Sequence, residues 1–118
     1  MPLAPERIVE ALRRAGAYVK LAAARVRYTP RAGSELSAIL QYIDERSPRG
    51  AQNVKRAIAH AIRLLAFHPS MAPLTDESAV RELNVPRRPY KIYYRIEGNE
   101  VWIVHIRDTR RRPWKGKD

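Results

Sequence analysis

Two helix starts, written eighteen residues apart, constrain this chain more than any other feature. Thr29-Pro30 and Ser47-Pro48 each put a hydroxyl at an N-cap and a proline at the first helical position. The hydroxyl accepts from an N–H that has no helical partner, and proline's fixed φ suits that position. After the first start, Ala32, Leu36, Ile39, Leu40 and Ile43 share one helical face; after the second, Ala51, Val54, Ile58, Ala61 and Leu65 do the same. His68-Pro69 stops the second helix. Two striped helices so shortly joined predict an antiparallel hairpin, whose apolar side must be buried on something else.

That surface is a sheet. Residues 25–29 (RVRYT) form a short strand with Val26 and Tyr28 on one face, and residues 79–85 a second, interrupted by Pro86-Arg87-Arg88-Pro89. Residues 90–96 set Tyr90, Ile92, Tyr94 and Ile96 against Lys91, Tyr93 and Arg95, and Glu97-Gly98-Asn99-Glu100 makes the turn. Residues 101–106 (VWIVHI) are apolar on both faces, which predicts a central strand with His105 on the side of Val101 and Ile103. The predicted fold is α+β, in the order strand-helix-helix-strand-strand-strand. Its sheet is mostly antiparallel, with the hairpin on one face.

A chain of 118 residues is one domain. Ahead of it, residues 1–24 place Ile8, Leu12, Ala15 and Val19 at helical spacing, an amphipathic extension able to dock on the domain or on a partner. Lys20 and the acids Glu6 and Glu10 speak against an export signal, and no apolar run nears the roughly 18 residues of a membrane span. Cysteine is absent, so no disulfide framework and no thiolate metal site exist, which fits the cytoplasm. The net charge is +11, and 18 of the 23 basic residues are arginine, pointing to a polyanionic or acidic partner recognised by planar forks.

Three pieces in this order carry a resemblance: Arg81-Glu82-Leu83, the strand Tyr90-x-Ile92-x-Tyr94-Arg95, and a last strand running into Arg107-Asp108-Thr109-Arg110-Arg111-Arg112-Pro113-Trp114. Residues 25–114 resemble the RelE/ParE toxin superfamily, with 1–24 outside the likeness and 115–118 a basic tail. The resemblance implies a toxin of a type II toxin–antitoxin pair, held inactive by a cognate antitoxin. It also implies one of two activities: ribosome-dependent, metal-free cleavage of messenger RNA in RelE-like members, or poisoning of DNA gyrase in ParE-like ones.

Cleavage needs a base, an acid and positive charge on the phosphate. The arginines supply the charge, with Arg87 or Arg88 a further match before the third strand. No His or Tyr stands in the stretch after the last strand, and Trp114 can stack but not move a proton. Should the chain cleave RNA, the candidates are Tyr93, His105 and Arg110. His60 reads as a helix-boundary residue and His68 as a helix-end one. No histidine pair or carboxylate cluster has metal-ligand spacing, and no cofactor is expected. The residues therefore point to a non-enzymatic ParE-like toxin. Its expected target surface is Arg95, Arg107, Arg110, Arg111, Arg112 and Trp114, and its antitoxin surface Leu36, Ile43, Val54, Arg81 and Lys91. A RelE-like ribonuclease acting on the ribosome, and an inactive toxin-like binding module, are the alternatives.

Overall fold

The computed structural model describes residues 23–110. The predicted helix in 1–24 lies outside them apart from its last two residues, as do Arg111, Arg112, Trp114 and the tail 115–118. The elements are β1 (Arg25–Tyr28), α1 (Pro30–Asp44), α2 (Pro48–Phe67), β2 (Arg81–Asn84), β3 (Tyr90–Glu97) and β4 (Glu100–Asp108). This is the α+β order read from the sequence.

Both helix starts are built as expected. Thr29 Oγ1 accepts from Ala32 N at 3.2 Å and Ser47 Oγ from Gly50 N at 3.0 Å. Gly50 makes room for the second cap, since a Cβ there would lie 3.0 Å from Ser47 Oγ and 3.3 Å from Ile43 Cγ2. The His68 N–H closes α2 on Leu64 O.

The sheet runs β1-β4-β3-β2, so β4 is central. β4 pairs antiparallel with β3 and parallel with β1, and β3 pairs antiparallel with β2. The hairpin rests on one face. Ile58, Ala61 and Leu65 of α2 pack with Ile92, Tyr94, Val101, Ile103 and Ile106 in one cluster. Tyr94 is wholly buried there, its hydroxyl donating to Pro69 O at 2.6 Å. That bond satisfies the single polar atom the ring brings into the core.

Two departures matter. β2 is shorter than residues 79–85 because Ala79 adopts φ 61°, a left-handed conformation that breaks the extended run before Arg81. The β3–β4 register pairs Tyr93 with His105 but Tyr94 with Ile103, making Val104 the extra residue of a bulge. That residue resets the alternation, so the expectation for His105 is corrected. It shares a face with Tyr93 and Arg107, away from Val101 and Ile103.

The bulge also ends the β1 ladder. β1 stops opposite Ile103, and α1 takes over the rest of that edge. Thr29 Oγ1 donates to Val104 O at 3.3 Å, and Glu35 Oε1 accepts from Ile106 N at 3.1 Å. One helix-borne carboxylate thus replaces a missing strand carbonyl.

Candidate functional site

The sheet face opposite the helices carries a row set by strand register. Lys91 faces Arg107, Tyr93 faces His105, and Arg95 faces Trp102, with Glu82 of β2 opposite Tyr93. Cross-strand neighbours on one face lie close enough to interact directly. The Tyr93 and His105 rings stack with centroids 5.2 Å apart. Both are nearly covered, at 3% and 6% exposure.

Two carboxylates organise this row. Glu82 Oε1 accepts from the Tyr93 hydroxyl at 2.8 Å and pairs with Lys91 Nζ at 3.2 Å. Burial and the adjacent Glu82 push the Tyr93 hydroxyl up to about 12, with Arg107 pulling the other way. At neutral pH the phenol keeps its proton and donates a hydrogen bond to Glu82. Glu35 reaches from α1 to place Oε2 2.7 Å from His105 Nδ1 and 3.4 Å from Arg31 Nε.

A second region lies where β4 ends beside α1. A cavity of about 240 Å³ has Ile39, Ile43, Ile106 and Tyr90 in its walls, with Tyr42 and Arg110 among its polar lining. Arg110 forks onto Asp108, Nε to Oδ1 at 3.0 Å and Nη2 to Oδ2 at 2.7 Å. That pairing raises its already high pKa and fixes its positive charge. Arg46 lies 3.6 Å over the Tyr42 ring.

Of the expected target residues, the structure brings Arg95 and Arg107 onto one row, and Arg107 also lines the cavity together with Arg110. Arg95 also pairs with Glu97 at 3.3 Å. Arg87 and Arg88 are exposed on the β2–β3 loop. The expected antitoxin residues divide. Leu36 and Ile43 are half-buried beside the core. Val54, at 6% exposure, belongs to the buried core cluster. Arg81 is half-buried, and its Nη1 donates to Ala72 O at 2.7 Å, bracing the loop after α2. Lys91 is half-buried and paired with Glu82. His60 and His68 are exposed on α2 and at its end.

Sequence reasoning missed Glu35, Glu82, Tyr42 and Arg46. Glu35 carried a signal, being an acid three residues from Ala32 and so on the stripe side of its helix. Glu82 carried none beyond its place in Arg-Glu-Leu.

A helix hairpin on one face of a mixed sheet, with basic residues on the other face and at the end of β4, defines a chain of the RelE/ParE toxin class. A family model described as ParE toxin of type II toxin-antitoxin system, parDE, matches residues 26–113, and the chain belongs to this family. It is 38% identical over 88 residues to Toxin RelE2 of Caulobacter vibrioides, covering 75% of this chain and 98% of that one. Two solved structures share the fold. The chromosomal ParDE toxin–antitoxin system of P. aeruginosa gives a TM-score of 0.64 at 22% identity, covering 72% of this chain and 95% of its own. The RelBE2 toxin–antitoxin complex of Mycobacterium tuberculosis gives 0.54 at 23%, covering 75% and 94%.

Proposed function

We propose that this is a ParE-like toxin that acts by binding, with DNA gyrase as its target and a cognate antitoxin as its restraint, in the cytoplasm. The observation that carries the binding reading is the state of Tyr93. Its hydroxyl donates to Glu82 with its pKa pushed up to about 12, unsuited to taking a proton from a ribose at neutral pH. His105 stacks on Tyr93 and is 6% exposed, with Glu35 Oε2 2.7 Å from its Nδ1. What the outer face offers a target is positive charge from Arg95 and Arg107, joined at the end of β4 by Arg110; the sequence continues, beyond the described residues, with Arg111, Arg112 and Trp114. Support for an antitoxin comes from the family and from the two similar folds, one of a ParDE toxin–antitoxin system and one of a RelBE2 toxin–antitoxin complex. Its docking place is the cleft beside Leu36, Ile43 and the cavity at Arg110. Among the described residues no helix is long and apolar enough to cross a membrane.

A RelE-like reading, cleavage of messenger RNA on the ribosome, is favoured by one observation: the relative at 38% identity is named Toxin RelE2. Growth arrest by Tyr93→Phe and His105→Gln chains, each checked for an unchanged melting temperature, separates the two. Binding predicts that both variants still arrest growth without antitoxin. Loss of arrest in either, with the fold intact, contradicts it.

A further inference from the structure

The outer sheet face carries a second row, at the β3–β4 hairpin end and away from His105. Register sets Arg27, Trp102 and Arg95 side by side across β1, β4 and β3. Cross-strand neighbours on one face lie within reach of each other. The side chains of Arg27 and Arg95 are 46% and 38% exposed, and Trp102 between them is half-buried. Arg25, also exposed, stands on the same face of β1 opposite Glu100.

One carboxylate orients this row by its edges. Glu100 Oε1 accepts from the Trp102 indole N–H at 3.3 Å, and Oε2 accepts from Arg27 Nε at 3.0 Å. Both N–H bonds lie in the plane of their ring or fork, so the acid turns each group without occupying its face. Arg27 first, then the indole N–H and Arg25, hold the Glu100 carboxyl below its ordinary range, so its charge is answered within the cluster. Arg95 engages Glu97 through one nitrogen, Nη2 to Oε1 at 3.3 Å. Among the described strand residues, Arg25, Arg27, Arg95, Lys91 and Arg107 share this face with the acids Glu82, Glu97 and Glu100, a positive balance. Lys91 and Arg107 lie roughly 15 Å from Trp102 along the strands.

An indole, planar cations and a positive balance, on a face that neither helix covers, fit one ligand chemistry. The bases of a single strand stack on aromatic and guanidinium planes while its phosphates meet the arginines. A duplex keeps its base faces stacked on one another, and an acidic protein segment has none to offer. We propose that Trp102, Arg27 and Arg95 form a stacking site for single-stranded nucleic acid, DNA and RNA alike, whose strand runs along β4 toward Lys91 and Arg107. Trp102 takes a base, Arg27 and Arg95 take the flanking phosphates, and Glu100 holds the platform in place. The site stands whether the freed toxin acts on gyrase or on the ribosome.

Trp102 and Trp114 are the two tryptophans of the chain, so Trp114→Phe leaves Trp102 as the one indole emitter. In that full-length background, indole fluorescence is titrated at low salt with an oligothymidylate, an oligouridylate of the same length, and poly-glutamate, which brings charge without bases. The proposal predicts strong quenching by both strands and none by poly-glutamate. Trp102→Leu should weaken strand binding about tenfold, and Trp102→Phe, which keeps a ring, should retain most of it. Arg27→Gln and Arg95→Gln should each lower the salt slope of log affinity by about 0.7. Absence of quenching by either strand, or quenching confined to one of them, overturns the site, and this reading needs no change at Trp102. Equal quenching by poly-glutamate also overturns it and assigns the face to an acidic protein segment. Unweakened binding by Trp102→Leu, in a folded chain, leaves charge alone as the attraction and rejects the stacking role.

Discussion

The two faces of the sheet are held by different physics. Toward the helices, Ile58, Leu65, Ile92, Tyr94, Val101, Ile103 and Ile106 make a close-packed cluster in which many side chains share the work. Away from them, Lys91, Tyr93 and His105 are ordered by two carboxylates, Glu82 and Glu35, each serving several partners. The first arrangement degrades gradually with volume lost. The second fails when one oxygen pair is removed, because the groups left behind are polar and mostly covered. The inner face specifies the fold, and the outer one fixes the position of whatever the toxin presents.

The contrast can be broken most forcefully from the inside. Leu65→Ala, at a wholly buried position, should lower unfolding stability by about 3–4 kcal/mol in a denaturant titration. Glu35→Ala should cost about 2 kcal/mol, since it strips the cap from the Ile106 N–H and the partner from His105. Amide exchange should quicken at Ile106 and stay slow at Ile103; equal change at both would deny Glu35 its edge-capping role. Ser47→Ala removes one cap, and about 1 kcal/mol is expected by the same titration.

The subtlest test is with pH. The folded Tyr93 pKa, about 12, lies above the ordinary 10 of the unfolded chain. The folded state therefore holds that proton more tightly, and this contribution is complete below pH 10. It is lost as pH rises from 10 through about 12. An ultraviolet phenolate titration of the chain and its Tyr93→Phe variant should differ by one late-ionising tyrosine. In Glu82→Gln that ionisation should move down toward 10. A titration unchanged by Glu82→Gln would leave burial alone as the cause.

The helix-facing half was legible because each of its features has a local signature: a hydroxyl before a proline, a stripe at helical spacing, alternation along 90–96. The central place of β4 followed from its apolar faces. The bulge at Val104 left no trace, as no glycine, proline or polar residue marks it, and it alone moved His105 across the sheet. The left-handed Ala79 was hidden for the same reason. Glu35 lies 71 positions from Ile106, and only the topology brings them together. The arginines of the outer row could be named from the sequence, but not the carboxylates that hold the row.

The central claim is that the freed toxin binds and does not cut. Its most direct measurement is induced expression in bacteria without antitoxin, with DNA and protein synthesis followed separately over the first minutes. The account predicts that DNA synthesis fails first, with cleaved DNA trapped on gyrase and messages intact. Early loss of protein synthesis with cut messenger RNA would contradict it and make Tyr93 and His105 the residues to pursue.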